Sequence, residues 1–341
     1  MTASRPRAVP HDADSSDPVS MARDRPTLFC PLCGPGDAGR YRLAARIRSR
    51  SGQPYRIFRC RAHGVEFADN GHGSAGGGAP KVVLDQLYGP LQEEISARYV
   101  DFVDRVERTA GERGRLHDVG CGNGQLLLEA QRRGWAVQGN DMLDAVRPAL
   151  EARGISYFEG ELAALALPAR SCDIVTSFCV LPHHVADPVP DLRAAAQLLR
   201  PGGWFIAELP SDGLYRRLAW ALYRLTGGRV QMPLANIYEP LGHVFGYSPA
   251  SIRLLLEQCG FDRVTVEPYV QPASMSTARF AGRGLAFRTV ATLGVGVLAA
   301  AARIVRLPNH MLVAARMPRT DVTDLRRGSP SDRSEAGLAR G

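Results

Sequence analysis

The chain has 341 residues, of which 45% are hydrophobic and 22% charged, and this composition is typical of a soluble globular protein with a sizeable core. It excludes a chain that is disordered throughout. The formal net charge is +8, but the basic residues are spread along the chain, which favours a solvated basic surface over a dedicated patch for acidic partners. Seven cysteines, an odd number, and a polar N-terminus without a secretory signal predict a cytoplasmic protein.

The sequence divides into five segments by composition. Residues 1–26 are rich in Ser, Asp, Pro and Arg and are predicted to be disordered. Residues 27–70 carry the first three cysteines and are predicted to form a small module. Residues 71–81 are a Gly/Ala-rich linker, residues 82–317 form the main domain, and residues 318–341 are a second segment predicted to be disordered.

The N-terminal module contains two pairs of metal-binding residue types, Cys30 with Cys33 and Cys60 with His63. Each pair has two residues between its members, and 26 residues separate the two pairs. Three thiolates and an imidazole suit tetrahedral zinc, and four protein ligands close the coordination shell. The pattern therefore predicts a module like a zinc ribbon with a structural zinc ion. The alternative is two unrelated pairs, with His63 as a surface residue.

Alternating apolar segments predict the architecture of the main domain. An amphipathic helix is expected from Val82 to Arg108. Strands are expected at 116–119, 136–139, 156–158, 172–179, 204–209, 263–270 and 311–316, and helices at 125–133, 145–153, 192–199 and 248–258. The helix at 192–199 should be stopped by Pro201-Gly202-Gly203. Strands that alternate with helices predict an α/β fold with a doubly wound, mostly parallel, seven-stranded Rossmann-like sheet.

A glycine-rich loop, Gly120-Cys121-Gly122-Asn123-Gly124, follows the first of these strands and precedes a helix. Ligands of doubly wound sheets bind beyond the carboxyl ends of the strands, so a nucleotide-like ligand is expected here. The spacing is G-x-G-x-G rather than the dinucleotide G-x-G-x-x-G, and Asp118 stands two places before the first glycine. A carboxylate there is unfavourable for a pyrophosphate and favourable for a cationic ligand. The alternative is an NAD-type loop or a structural turn.

The segment from Leu116 to Gly124 resembles motif I of the class I methyltransferases that use S-adenosylmethionine (SAM). Further stretches are similar to other motifs of that family, namely Cys172-Asp173-Ile174-Val175, Leu199-Arg200-Pro201-Gly202-Gly203, Gly242–Ser248 and Cys259-Gly260-Phe261. The resemblance covers about residues 82–317 and implies SAM as the cofactor. It implies cofactor contacts from Asp118, Gly120, Cys121, Gly122, Asn123, Gly124, Asp141, Met142, Glu161 and Leu162.

The resemblance also implies roles for the residues that follow the second and third strands. Asp141 matches the acidic residue that accepts hydrogen bonds from both ribose hydroxyls of the cofactor, and Met142 matches a position that packs on adenine. Glu161 and Leu162 resemble the pair that contacts the adenine edge. The ammonium and sulfonium groups of SAM are both positive, so a carboxylate at Asp118 favours that end of the ligand.

Two histidines are candidates for a catalytic role. His184 follows the fourth strand and matches the histidine of the loop that resembles the family's motif, whereas His183 stands where the family usually has Glu. Histidine has a suitable pKa for a general base near neutral pH. The alternative is that His184 braces the loop or contacts the substrate, and His243 is a second candidate of the same kind. The remaining pocket candidates are Tyr238, Glu239 and Tyr247, while Cys121, Cys172, Cys179 and Cys259 are interpreted as small packing residues.

Two segments, 211–247 and 271–306, are predicted to be insertions on the substrate side or a lid. The stretch from Thr289 to Ala302 is apolar but shorter than the roughly 20 residues that a spanning helix needs. It is interpreted as a buried or lid helix and not as a transmembrane segment, and peripheral membrane contact is left open.

The expected partner is therefore a small-molecule methyl acceptor, such as a sugar, polyketide or lipid-like intermediate. Many small-molecule methyltransferases begin with a similar cysteine ribbon, although His63 stands here in place of a fourth cysteine. The departure at His63 resembles a family of ribosomal RNA guanine methyltransferases with a Cys3His finger, so a nucleic-acid substrate is the alternative. A second alternative is a protein that binds SAM without catalysing a reaction.

Overall fold

The fold is described from a computed structural model. It covers residues 28–69, 95–270 and 294–319, apart from residues 37–38, 49–51, 53, 185–186, 236, 239–242, 295, 298–299 and 303. The predictions made for residues 1–26, for the linker at 71–81, for the first part of the helix at 82–108, for residues 271–293 of the predicted insertion or lid and for residues 320–341 lie outside the described residues.

Thirteen strands and seven α-helices are defined within this part of the chain. The strands are β1 (Leu28–Cys30), β2 (Gly34–Gly36), β3 (Tyr41–Arg48), β4 (Pro54–Cys60), β5 (Glu66–Asp69), β6 (Arg115–Val119), β7 (Ala136–Asp141), β8 (Ser156–Glu159), β9 (Cys172–Phe178), β10 (Leu199–Pro210), β11 (Phe245–Gly246), β12 (Asp262–Tyr269) and β13 (His310–Arg316). The helices are α1 (Ala97–Ala110), α2 (Gln125–Arg132), α3 (Arg147–Glu151), α4 (Val189–Leu198), α5 (Leu214–Leu225), α6 (Met232–Ala235) and α7 (Pro249–Gln258). Short 3-10 turns lie at Leu162–Ala164 and Leu181–His183.

The main sheet has seven strands in the order β12-β13-β10-β9-β6-β7-β8. The pairs from β10 to β8 are parallel, whereas β13 runs antiparallel to both β10 and β12. Chain order reverses between β6 and β9, so this is the switch point at which ligands of doubly wound sheets bind. The predicted seven-stranded, mostly parallel Rossmann-like sheet is confirmed.

Local sequence explains where several of these elements begin and end. Ser248 caps α7, because its side chain accepts a hydrogen bond from the Ser251 N–H and the Ser251 hydroxyl accepts one from the Ser248 N–H. The predicted stop at Pro201-Gly202-Gly203 is wrong in detail. Strand β10 already begins at Leu199 and passes through these residues, and its pairing with β9 shifts register between Leu199 and Trp204.

The N-terminal residues form sheets of their own. Strands β1 and β2 form a short hairpin, and a second sheet has the order β11-β5-β4-β3. Strand β11 comes from the main domain: Phe245 pairs with Phe67 and Gly246 with Glu66. Residues 28–69, called the ribbon below, are therefore joined to the main domain by backbone pairing between β5 and β11, although these two strands are far apart in sequence.

Helix α5 lies in the segment 211–247, which was interpreted from the sequence as an insertion. It buries Ala219 and Trp220 against Ile57 of the ribbon sheet and Leu234 of α6. The helix thus covers one face of the ribbon, and apolar burial of this kind stabilises the contact.

The apolar stretch at 289–302 is described only from residue 294 onward. There Val297 is 70% exposed, while Ala302 is buried, so the described part is not a uniformly buried helix. No helix among the described residues is long and apolar enough to cross a membrane.

Candidate cofactor site and two cysteine–histidine clusters

The glycine-rich loop leaves the carboxyl end of β6 and is fastened to the neighbouring strand β7. The N–H groups of Gly120 and Cys121 donate to the Asn140 carbonyl at 2.8 and 3.0 Å. Gly120 has φ +69°, and a Cβ there would lie 2.5 Å from a methyl of Val180. Only glycine combines this backbone conformation with so close an approach of the loop that follows β9.

Asp118 lies near the end of β6 beneath this loop and is buried. Its Oδ1 accepts a hydrogen bond from the Thr176 hydroxyl at 2.7 Å. Burial and, to a smaller extent, the negative charge of Asp141 raise the pKa of Asp118 to about 7, although the Thr176 hydrogen bond lowers it. A cation that binds near this carboxyl group would stabilise its ionised form.

Asp141 ends β7 at the same edge of the sheet. Its Oδ2 accepts from the Gly122 N–H at 2.8 Å and its Oδ1 from the Leu143 N–H at 3.2 Å. Burial raises the pKa of Asp141, while these backbone hydrogen bonds lower it. Each carboxylate oxygen has a second lone pair, so Asp141 retains the capacity to accept further hydrogen bonds.

A neutral histidine fixes the spacing of β6 and β7 below the loop. Burial lowers the pKa of His117 to about 4 despite its hydrogen bond with Asn140. The Gln138 amide lies 3.0 Å from Nδ1 and the Asn140 amide oxygen 2.8 Å from Nε2, so Nδ1 accepts and Nε2 donates. Asn140 in turn donates to the Gly160 carbonyl at 2.8 Å. This chain of hydrogen bonds holds β7 and the start of the loop after β8 in register with β6.

The other residues predicted to contact the cofactor surround the same edge. Cys121, Asn123 and Leu162 are buried, Glu161 is exposed, and Met142 is 57% exposed. An exposed methionine beside Asp141 offers an apolar surface on which a flat ring could pack. The structure thus brings the predicted residues to one edge of the sheet, and their individual contacts with a cofactor stay predictions.

His184 is paired with an acidic residue on the next helix. Its Nε2 lies 3.1 Å from Oδ2 of Asp191, and Oδ1 of Asp191 accepts from the Ala163 N–H at 2.8 Å. Burial would raise the pKa of Asp191, but the His184 hydrogen bond and the backbone hydrogen bonds lower it below its usual range. The pair therefore ties the loop after β9 to α4 and to the turn at Leu162–Ala164, which is the geometry of a brace.

His243 belongs to a cluster that the sequence did not predict. Its Nε2 lies 3.7 Å from Sγ of Cys179, and its ring contacts that of His183 edge-on at 4.7 Å between centroids. The metal-binding atoms of these three residues all lie within 4.8 Å of one another. Cys179 was interpreted as a packing residue, and the only sequence signal was the four-residue spacing from Cys179 to His183.

The four predicted metal ligands of the ribbon also converge. Their ligand atoms lie within 4.8 Å of one another, with 3.6 Å between the sulfurs of Cys33 and Cys60 and 3.7 Å from the Cys60 sulfur to Nδ1 of His63. Cys30 and Cys60 are buried. The two pairs of residues recognised in the sequence, Cys30 with Cys33 and Cys60 with His63, thus form one cluster.

Glu66 on β5 is the centre of a buried polar cluster between the ribbon and the main domain. It accepts hydrogen bonds from Arg59 Nε at 2.8 Å, from Trp220 Nε1 at 3.2 Å and from the Tyr238 hydroxyl. The buried guanidinium of Arg216 lies 4.0 Å away. Tyr238, expected as a pocket residue, therefore belongs to this interior cluster.

Tyr247, another expected pocket residue, is likewise fully buried and packs in the core. Glu239 lies outside the described residues.

A family model described as "Methyltransferase domain" matches residues 91–266, which is more than half of the chain. The chain belongs to this methyltransferase-domain family. The match includes the glycine loop, Asp141 and His184, and it leaves out the N-terminal ribbon.

Curated relatives agree with this assignment. The chain is 41% identical over 122 residues to a protein from Ralstonia nicotianae named "Ubiquinone biosynthesis O-methyltransferase". The matched segment covers 33% of this chain and 49% of that protein. A protein of the same name from Cupriavidus pinatubonensis is 30% identical over 219 residues, or 59% of the chain and 82% of the relative. The chain spans about half the length of the first of these relatives.

A solved structure with a similar fold is a phosphoethanolamine N-methyltransferase from Haemonchus contortus, bound to phosphomonomethylethanolamine and S-adenosylhomocysteine. It is 16% identical, has a TM-score of 0.47, and the match covers 70% of this chain and 57% of that one.

Proposed function

We propose that this protein transfers the methyl group of SAM to a hydroxyl oxygen of a small molecule. The observation that supports this most strongly is the pair Asp118 and Asp141, which flank the glycine loop at the switch point of the sheet. One carboxyl group is buried and suited to a cation, and the other retains acceptor capacity for ribose hydroxyls. NAD carries a pyrophosphate, which a buried carboxylate at Asp118 would disfavour.

Residues of this chain fit each part of the cofactor. Asp118 would attract the positively charged methionine end, the backbone of Gly120 and Gly122 would permit close approach, and Asp141 would accept hydrogen bonds from the ribose. Met142 would pack on adenine. When bound, SAM supplies a methyl group on a positively charged sulfur, whose departure leaves a neutral thioether and requires no general acid.

The protein must therefore mainly align the acceptor oxygen with the methyl carbon and sulfur, since proximity and orientation provide much of the rate enhancement. We assign His184 to this positioning task, because its pairing with Asp191 ties the loop after β9 to α4. The choice of oxygen as the acceptor atom is supported by the names of the curated relatives, which are O-methyltransferases.

The ribbon cluster is proposed to hold a structural zinc ion. Tetrahedral zinc with Zn–S bonds of about 2.3 Å separates its sulfur ligands by about 3.8 Å. The 3.6 Å between Cys33 and Cys60 fits this geometry. With Cys30 and His63 as the remaining ligands, the four protein ligands leave no open position, so this ion would stabilise the ribbon and take no part in methyl transfer. Thiols kept for a metal favour a reducing compartment, so the cytoplasm remains the proposed location.

Calorimetric titration with SAM, with NAD as the control ligand, tests the cofactor. Wild-type protein should bind SAM and not NAD. Asp141→Ala should bind SAM roughly 100-fold more weakly, because two hydrogen bonds to a charged acceptor contribute about 1.5 kcal/mol each. Asp141→Asn retains one acceptor oxygen and should show an intermediate loss.

Two results would refute different parts of this proposal. A wild-type protein that binds NAD in preference to SAM rules out the cofactor. Equal affinities of wild type and Asp141→Ala, with matching circular dichroism spectra, rule out only the ribose contact.

A further inference from the structure

The loop after β9 brings together a cysteine and two histidines beside the cofactor site. In the sheet, Val119 of β6 is opposite Ser177 of β9, so the glycine loop and Cys179 leave adjacent strands side by side. Val180, the next residue, packs against Gly120. The cluster of Cys179, His183 and His243 therefore stands next to the loop that is proposed to hold SAM, and far from the ribbon cysteines in sequence.

Backbone contacts fix the geometry of this cluster. Cys179 adopts a left-handed conformation with φ +58°, and its N–H donates to the Glu208 carbonyl at 2.7 Å. A non-glycine residue in this conformation is strained, and such strain concentrates at functional sites. The Val244 N–H donates to the Pro182 carbonyl at 2.7 Å, which ties the segment after His243 to the turn that carries His183.

We propose that Cys179, His183 and His243 form a second zinc site, distinct from the ribbon site. Tetrahedral zinc with a Zn–S bond of about 2.3 Å and a Zn–N bond of about 2.0 Å places sulfur and nitrogen about 3.6 Å apart. The distance from the Cys179 sulfur to Nε2 of His243 is 3.7 Å. All three ligand atoms lie within 4.8 Å of one another, so they can converge on one ion with small side-chain adjustments.

The ligand types distinguish this site from the ribbon. One thiolate and two imidazoles suit zinc among the common divalent ions, because Mg²⁺ and Ca²⁺ prefer oxygen ligands. Three protein ligands leave a fourth position for water or substrate, as in catalytic zinc sites. His183 is exposed and Cys179 is partly exposed, so an ion there is accessible from solvent, in contrast to the buried Cys30 and Cys60.

The use of this ion rests on the proposed methyl transfer to a hydroxyl group. An acceptor hydroxyl in the open position would have its pKa lowered by the metal charge. The hydroxyl proton passes to solvent, the oxygen forms a bond to the methyl carbon, and the bond from carbon to sulfur breaks with its electron pair left on sulfur. The site would thus supply an activated acceptor oxygen in a fixed position.

Counting metal ions in the full-length protein tests the site without reference to SAM. Purified protein is dialysed against zinc and its metal content measured by mass spectrometry. Wild type should hold two zinc ions per chain. His183→Ala and His243→Ala should each hold one, and Cys30→Ser should also hold one, because it removes only the ribbon site.

Cobalt substitution assigns the two sites, since thiolate-to-metal charge-transfer absorption scales with the number of thiolates. Loss of the second site should remove about a quarter of this absorption, because it contributes one of four thiolates. His184→Gln is the matched control, a neighbouring histidine that faces Asp191, and it should retain both ions. Cys259→Ser, a buried thiol outside both clusters, should also retain both.

A wild-type protein whose single zinc ion is lost in Cys30→Ser, or a His183→Ala protein that holds as many zinc ions as wild type, overturns the second site. Either result leaves the proposed methyl transfer intact. Conversely, two zinc ions in a protein that fails to bind SAM would support the site and refute the proposed function, so the two failures are distinguishable.

Discussion

The ribbon and the cofactor edge of the sheet both gather polar and metal-binding side chains, but they do so in opposite ways. In the ribbon region the polar groups face one another inside the protein: Glu66 is fully buried and surrounded by donors from Arg59, Trp220 and Tyr238. At the cofactor edge, Asp118 faces Thr176 and the charge of Asp141, and its pKa is raised to about 7.

This contrast separates stability from ligand binding. A buried charge with well-placed hydrogen-bond partners is costly to disturb, so changes in the ribbon should destabilise the whole fold. Burial disfavours the ionised form of Asp118, and a bound ligand that carries a positive charge would stabilise that form. The two cysteine–histidine clusters follow the same division, since one has four residues, of which Cys30 and Cys60 are buried, and the other has three, of which His183 is exposed.

The largest effect is expected for Cys30→Ser. Loss of the buried Cys30 thiol from the four-residue cluster should release the proposed ribbon metal and lower the free energy of unfolding by about 4 kcal/mol or more. Urea denaturation and metal analysis measure the two effects. Cys259→Ser, which changes a buried thiol outside the clusters, should retain the metal and lose far less stability. A Cys30→Ser protein with wild-type metal content would exclude zinc from the ribbon.

A smaller loss of stability is expected for Glu66→Ala. The change leaves the buried Arg216 without its nearby carboxylate and removes the acceptor of Trp220 and Tyr238, at a cost of about 3 kcal/mol. The exposed Glu257→Ala on α7 is the control and should change stability by less than about 0.5 kcal/mol. Urea denaturation of both variants gives the comparison. Similar midpoints for the two would mean that the Glu66 cluster does not hold the ribbon to the main domain.

The smallest effect is a pH dependence of SAM binding that arises from Asp118. Its raised pKa of about 7 belongs to the free protein, and a bound cation should lower it because the ionised form attracts the ligand. Affinity should therefore rise with pH up to about 7 and be roughly tenfold weaker at pH 6 than at pH 7.5. The stability of the free protein changes with pH in the opposite direction. Because the pKa of Asp118 is higher in the folded protein than its ordinary value of 3.8, the contribution of this group to the free energy of unfolding declines as pH rises from about 4 towards 7.

Calorimetry at several pH values measures this dependence, and Asp118→Asn removes the titrating group. The variant should bind SAM more weakly at neutral pH, with an affinity that no longer changes between pH 6 and 7.5. A wild-type affinity that is constant over this range would show that Asp118 does not respond to the charge of the ligand.

Several parts of the molecule were predictable because their signals are local. Short apolar segments between helical segments predicted the seven strands to within a few residues, with the larger error at β10, where the backbone shifts register. The N-cap at Ser248 and the close spacing of Cys30 with Cys33 and of Cys60 with His63 depend on neighbours within a few residues. Physical rules for such short segments apply without knowledge of the fold.

Other parts depended on contacts between distant segments. Tyr238 and Tyr247 are pocket candidates whose side-chain direction the sequence leaves open, and in the structure both side chains are fully buried. Nothing within a few residues of Tyr238 indicates that its hydroxyl reaches Glu66, which lies 172 positions earlier. Cys179 was likewise interpreted as a packing residue because its partner His243 is 64 positions away.

The sequence by itself indicated the alternation of strands and helices in the main domain, the glycine loop with Asp118 and Asp141, and the two pairs of Cys and His residues in the ribbon. Each of these follows from backbone preference or spacing along a short stretch of chain. Only the tertiary structure decided that β11 completes the ribbon sheet, that Glu66 is buried between the ribbon and the main domain, and that Cys179, His183 and His243 meet. These features arise where the folded chain brings remote segments into contact, and hydrophobic burial drives such contacts without leaving a local pattern.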